Sequence, residues 1–476
     1  MKKMIALAIL LLVLSITGMT VIGVAVSANN DNVTITERSL YGDKSAAEGI
    51  TINSVSHYDE HLLWNTDYTV GGQPQTEYSF HASEMRNGYI NHNYHIMLDV
   101  DISYGCEFNV PAEKQHGLAR AYKELFDEAE PGVEAKRIVN LKDFYEYYPV
   151  RVVINLPGVF WSGNDYDALV EDHEGSEKYV LRAFNEFFRI PMLAHEIREI
   201  SVTKGANGQH IGMGSSTVGS EETYFFDTDS VVTDDTCYFT INNRTTSGEL
   251  IDTSLIPGGY GIYSFHYTES SNMYTGGSIP GVTGVNANSL DMVYKLDDEV
   301  IVNNLLLSED HSKLLMITVE GGSTWFSVID ISSMKLLQKF EIEDFNWSSY
   351  NLHDHGSFYV LMNWDKFALV AMEEDGSYAY KFSSPTAYGI NEEFQYVNTA
   401  SAMNYNGEKL VIVNSIYEEQ HRALDLCSFY IAVYDARGLL YYGEYDSSLS
   451  VNPDAYNYNY NCLPYYNRYA YTVDWK

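Results

Sequence analysis

Cysteine is scarce in this chain: 4 among 476 residues, with no Cys-x-x-Cys pair and no Cys/His set at zinc spacing. A disulfide-stapled or zinc-stapled miniature fold is therefore excluded, and with 45% apolar residues the chain is long enough to bury a large core. Positive charge is equally short. Lys and Arg number 29 against 65 Asp and Glu, a formal charge of −36 that repels phosphate backbones and anionic head groups. Nucleic acid is not expected as a partner. The acids keep the surface solvated and draw divalent cations only loosely. Catalytic signatures are missing too. Gly214-Ser215-Ser216-Thr217 lacks the second Gly of a nucleophile elbow, and Gly42-Asp43-Lys44-Ser45 lacks the upstream Gly of a phosphate loop. No dinucleotide-binding Gly pattern occurs, and His195-Glu196-Ile197-Arg198-Glu199 has Glu199 where a zinc-protease helix needs its second His. No cofactor follows from these residues.

What is present begins with the N-terminus. Lys2 and Lys3 precede an uncharged run over residues 4–28. As a helix this run would extend roughly 37 Å, enough for a bilayer core of about 30 Å. Residues 7–14 alone would serve as a signal-peptide core, with Val26-Ser27-Ala28 as its cleavage site. The sequence is compatible with a cleaved signal and with a retained anchor. Either places the rest of the chain outside the cytoplasm, secreted or held to the membrane by that segment alone, because the lysines stay inside. Losing the leader takes the charge from −36 to −38. Cys427 and Cys462, in one terminal region, are candidates for a disulfide, whereas Cys106 has no evident partner. Cys237 shares a strand face with Phe239 and Ile241 and reads as a buried free thiol.

Residues 29–44 are polar and read as a tether. A first β region spans 45–110, in which Ile96, Leu98, Val100 and Ile102 alternate with Asp99, Asp101 and Ser103 as in a half-buried strand. The texture changes at Pro111. A helix is expected over 111–130, with the stripe Leu118, Ala121, Tyr122, Leu125 and Phe126, ending at Pro131-Gly132. A strand is expected over 150–156 and a second helix over 177–189, with Tyr179, Val180, Ala183, Phe184 and Phe187 on one side. Together these place a mixed α/β insertion at 111–200. From 201 to 476, strands separated by Gly, Ser, Asp and Thr turns continue as one repetitive body.

The clearest repeat unit runs from 305 to 340. An apolar run enters a turn at Ser308-Glu309-Asp310, a second strand turns on Gly321-Gly322, a third carries Asp330 at its end and a fourth leads out to Phe340. Looser copies follow, with Glu374 or Asp375, and then Asp435, in the place of Asp330. The intervals are roughly 45 and 60 residues, the longer one stretched by an insertion around 418–426, and four strands at such a period are the signature of propeller blades. Ser308-Glu309-Asp310-His311-Ser312-Lys313-Leu314 resembles the Ser-Pro-Asp-Gly-x-x-Leu strand-turn of YVTN-type β-propeller repeats. It matches at Ser308, Asp310 and Leu314, His311 stands where those families place Gly, and Asp330 matches the Asp after their third strand. The resemblance implies a propeller and no single function, because propellers host binding, scaffolding and catalysis.

Candidate site residues are few. Asp99, Asp101 and Ser103 present alternate oxygens ahead of Gly105, by which a turn could wrap Ca²⁺, although a strand's solvent face alternates in the same way. Asp227, Asp229 and Ser230 read as a second acidic turn, near Asp234 and Asp235. His353 and His355 would share a face if extended, and His57 with His61 and His92 with His95 are the other close pairs, each needing a third ligand to hold a metal. Trp161, in a Gly-flanked loop of the insertion, is the candidate ligand-stacking residue. Trp64, Trp347, Trp364 and the Tyr-rich tail are further aromatic candidates for a sugar or peptide groove, while Trp325 lies within a strand and reads as packing.

These readings converge on an all-β protein, a β-propeller of about seven blades, six to eight in range, with a helix-containing insertion. Residues 469–475 are expected to pair beside the N-terminal strands. The expected function is an extracytoplasmic binding or scaffolding module for a protein, peptide or glycan. The alternative is a carboxylate-based or metal-assisted glycan hydrolase. The two differ in where the acids go: a hydrolase gathers them, a scaffold scatters them.

Overall fold

Turn chemistry and strand alternation divide the chain into short antiparallel sheets. The computed structural model describes residues 15, 17, 33–58, 62–79, 98–102, 104, 117–156, 159–163, 177–218, 223–267, 285–343, 345, 350–394, 402–418, 423–448 and 471–475. Among them the strands form seven sheets of three to five strands, and helices are few. The fold is a β-propeller. Its chain divides into two compact units, 1–93 with 349–476, and 94–348.

The expected module is observed at 301–342, as Ile301–Leu307, Lys313–Glu320, Ser323–Asp330 and Lys335–Ile342 in that order. Its two middle strands are buried on both faces, and the last leaves Leu336 and Leu337 exposed. Gly321 and Gly322 form the two-residue hairpin loop, both at positive φ (58° and 88°), which suits the twist of the flanking strands. His311 also has positive φ, 55°, a conformation that Gly adopts at least cost.

The recurring acids cap hairpins. Asp310 accepts from the Ser312 N–H (3.1 Å) and Asp330 from the Ser332 N–H (2.9 Å). In the next two sheets Asp354 accepts from Gly356 N–H (2.8 Å), Asp375 from Ser377 N–H (2.9 Å) and Asp435 from Arg437 N–H (2.8 Å). Each is a local turn in which a side chain replaces a backbone acceptor, so the repeat signal is fold chemistry. The interval before Asp435 is long because the Leu410–Glu418 and Ala423–Asp435 strands form an extended hairpin.

Strands distant in sequence complete two sheets of the first unit. Tyr471–Trp475 pairs with the Ile50–Tyr58 strand, with Ile52 opposite Val473, as the C-terminal reading expects. The supposed tether needs correction: Ile35–Gly42 is a strand, the fifth of the 402–447 sheet, with Glu37 opposite Tyr445. Arg38 Nε donates to Glu444 Oε2 (2.8 Å), and Glu37 Oε1 accepts from the Gly71 N–H (2.8 Å), tying the next sheet to this strand. A polar, alternating strand at a sheet edge looks like a linker until its partner is known.

The region 111–200, expected as a mixed α/β insertion, contributes strands to two of the sheets. Leu98–Ile102, Val150–Leu156 and Val159–Gly163 form one sheet, and Glu134–Asn140, Ile197–Lys204 and His210–Thr217 another. Both expected helices occur, at Leu118–Glu128 and Glu177–Phe187. They bury Leu118, Ala121, Tyr122 and Leu125, and Val180, Leu181 and Phe184, in the same core as Cys237, Phe239, Tyr263 and Phe265. Phe184 stacks on Phe239 with ring centroids 6.0 Å apart. Cys237 is the buried free thiol expected, and burial pushes its thiol well up. Tyrosine, 40 residues of the chain, serves the core as well: Tyr68, Tyr148, Tyr263, Tyr434 and Tyr445 are among the largest fully buried side chains.

Candidate functional site

Asp99 and Asp101 lie on the Leu98–Ile102 strand as alternation predicts, partly buried, and Ser103 lies outside the described residues. Asp101 Oδ1 accepts from the N–H of Ile102 (2.7 Å) and faces Arg151 across the pair. Burial raises Asp99 above the ordinary carboxylate range, Asp101 and Asp227 add to this, and Arg151 opposes it. The 227–230 segment departs from the expected acidic turn: Thr228–Val232 is the first strand of its sheet. Its side chains serve neighbouring strands. Thr228 Oγ1 accepts from the Val100 N–H (2.9 Å), Ser230 Oγ from the Leu98 N–H (3.2 Å) and Asp229 Oδ2 from the Leu305 N–H (2.5 Å). First strands have one open edge, and hydroxyls and a carboxylate close it here. Burial pushes Asp229 up to about 6, against the pull of the Leu305 and Ser230 amides.

A second polar centre was hidden inside the rejected zinc-like segment. Glu196 is fully buried, its Oε1 accepting from Tyr148 Oη (2.7 Å) and the Tyr224 N–H (3.2 Å). The three residues precede strands of three different sheets, so this carboxylate knots the second unit together. His195 is exposed and the segment is not helical. Composition offers no signal for a buried Glu.

His353 ends up on the Asn351–Asp354 strand, with His355 just beyond it, stacked on Phe358 at 4.5 Å. Crowding by protein lowers both to about 4, so both are neutral near pH 7. Neutral imidazole is the ligand form, yet no group of three His, Cys, Asp or Glu that could hold a metal occurs among the described residues. The side chains of Trp161, His57 and Cys427 lie outside the described residues, as do His61, His92, His95, Trp347 and Cys462. Trp325 is partly buried beneath Lys339, whose Nζ lies 5.2 Å from the ring centre.

Trp364 differs from these. It occupies the turn between Phe358–Met362 and Lys366–Met372 and is 66% exposed. The turn is locked. Asn363 Oδ1 accepts from the N–H groups of Asp365 (3.1 Å) and Lys366 (2.9 Å), and the Asn363 N–H donates to Lys366 O (3.0 Å). Thr386, fully buried, donates its hydroxyl to Trp364 O (2.7 Å) and its N–H to Asp365 O (2.8 Å). The same Thr386 hydroxyl caps the short helix Ala387–Ile390 by accepting from Gly389 N–H (3.1 Å), and the Ala387 N–H donates to the buried Tyr434 hydroxyl (2.8 Å). A Cβ at Gly389 would lie 1.9 Å from Asp365 O, so only Gly allows the helix to approach the turn this closely. The indole is thereby projected into solvent on a rigid base, with Ile390 also exposed on the supporting helix.

No protein-family model matches the chain, and no curated protein does. Among solved structures, similarity is found to a candidate 6-phosphogluconolactonase from Bacteroides fragilis: 10% identity, 84% of this chain and 95% of that chain covered, TM-score 0.29. The β-propeller domain of Cps50 (Swd1) from Myceliophteria thermophila is similar at 8% identity, over 54% of this chain and 81% of that chain, TM-score 0.20. A mutant Synechocystis apocarotenoid oxygenase is similar at 10% identity, over 87% and 92%, TM-score 0.24. At such values the fold assignment rests on the chain's own seven sheets, and they make it an all-β propeller.

Proposed function

We propose that the chain is an extracytoplasmic binding or scaffolding propeller, secreted or anchored through residues 4–28, that engages a protein, peptide or glycan through its turns. The observation that carries this reading is Trp364, two-thirds exposed on a turn that buried Thr386 and Tyr434 hold in place. Leaving a large apolar side chain in water forgoes about 1.5–3 kcal/mol of burial, and a rigid mount prevents the indole from recovering it within the chain. A ligand recovers it instead, and exposed aromatic anchors of this kind dominate binding surfaces. The hairpin acids support the same reading, because each is committed to its own turn and they are spread over three sheets.

The hydrolase alternative has one observation in its favour. Asp99, raised by burial, lies within electrostatic reach of Asp101 and Asp227, and glycoside hydrolysis uses a pair of carboxyl groups in unlike surroundings. The two readings separate in one experiment on the full chain, which presents peptide and oligosaccharide panels and scores both retention and cleavage. Binding without turnover that falls in Trp364→Ala supports the module. Oligosaccharide cleavage lost in Asp99→Asn and unaffected in Trp364→Ala supports the hydrolase.

A further inference from the structure

We infer that the ligand of the Trp364 turn is a cationic segment of a protein or peptide, with a Lys or Arg side chain laid over the indole face. The inference rests on the binding-module reading and names its partner. A sugar needs an aromatic platform together with accessible polar atoms fixed at its rim. Here the turn's own amide and carbonyl atoms are spent. Asn363 Oδ1, Trp364 O and Asp365 O are all taken within the protein, while Asn363 Nδ2 and Asp365 Oδ1 are withdrawn from solvent. What stays open to a ligand is the indole, the exposed Ile390 and, past the helix, the carboxylates of Glu392 and Glu393, which suit a cation. A cation needs only the aromatic face and a favourable field.

The field has the right sign. Glu392 and Glu393 are exposed and follow directly on the helix that supports the turn, and Asp365 is the neighbour of Trp364, with Lys366 next along the chain. The whole chain carries −36, which steers basic segments toward the surface and away from anionic ones. The stem of a Lys or Arg would cover Ile390 while its charged head lies over the ring, so one side chain satisfies both exposed groups.

The test is fluorescence anisotropy on the full chain with three probes: a labelled Arg-containing decapeptide, the same peptide with citrulline replacing each Arg, and a labelled oligosaccharide panel. The Arg peptide is expected to bind, with the citrulline peptide weaker and added salt reducing the difference. Trp364→Ala should weaken the Arg peptide by about 5- to 30-fold. Trp364→Phe should fall between, because phenyl is the weaker cation partner, and it keeps the test valid if the Ala variant does not fold. The double change Glu392→Gln and Glu393→Gln should weaken the Arg peptide and leave the citrulline peptide unchanged. Equal binding of the two peptides, preference for an oligosaccharide, or an Arg affinity unmoved by either Trp364 variant overturns the cationic inference while leaving a binding module standing. Failure of all probes to bind removes both.

Discussion

Asp229 offers the sharpest physical test of how the second unit is held together. Its carboxylate joins the first strand of one sheet to the first strand of the next through the Leu305 N–H at 2.5 Å, and burial pushes it up to about 6 from 3.8. The folded state therefore binds a proton more tightly than the unfolded state does. Asp229 contributes most to stability below about pH 4, and that contribution is lost as the pH rises through about 6. The difference between those values is worth about 3 kcal/mol. In Asp229→Asn the carbonyl can still accept from Leu305, and nothing is left to ionise. The added NH₂ needs a partner, costing about 1 kcal/mol. The variant should thus be slightly less stable than the parent at pH 4 and more stable by about 2 kcal/mol at pH 7.5, a swing near 3 kcal/mol. Urea unfolding of both proteins across that range, at fixed moderate salt, measures it. A stability difference that stays flat with pH would refute the assignment of an Asp229 that holds its proton up to about pH 6.

Other outcomes follow from the same contacts. Thr386→Val removes the hydroxyl that serves both Trp364 O and the Gly389 N–H, and should cost about 2 kcal/mol in urea unfolding. It should also lower the anisotropy of Trp364 emission relative to other tryptophans in single-Trp backgrounds. His311→Gly relieves a positive φ and should be neutral or stabilising by up to about 1 kcal/mol, whereas His311→Val should lose more than that. Tyr148→Phe leaves buried Glu196 Oε1 with only the Tyr224 N–H and should destabilise by about 1–3 kcal/mol, read as a fall in the thermal midpoint.

Much of the architecture could be read from the residues, and the exceptions share a cause. The 301–342 sheet was legible because its middle strands are continuous apolar runs and its turns carry Gly and Asp, all local signals. The C-terminal pairing was legible as well, because a propeller's chain ends must cover each other's edges. Ile35–Gly42 and Glu134–Asn140 were not, since both are polar strands with one exposed face whose identity depends on partners far along the chain. The same holds for the site. Trp364 could be named among the tryptophans, but its exposure depends on Thr386, Gly389 and Tyr434, which lie 22 or more positions away. Glu196 could not be found at all, because its burial is made by Tyr148 and Tyr224 from other sheets.

The central claim, that the Trp364 turn is a recognition platform, is tested most directly by photo-crosslinking from its edge. Replacing Ile390 with a benzophenone amino acid leaves the indole in place and puts a reactive ketone beside it. The account predicts ultraviolet-dependent adducts with the labelled Arg peptide from position 390, suppressed by excess unlabelled peptide and by Trp364→Ala, and none from the more exposed position 337. Adducts of the same yield from 337, or adducts from 390 that persist without Trp364, would contradict it.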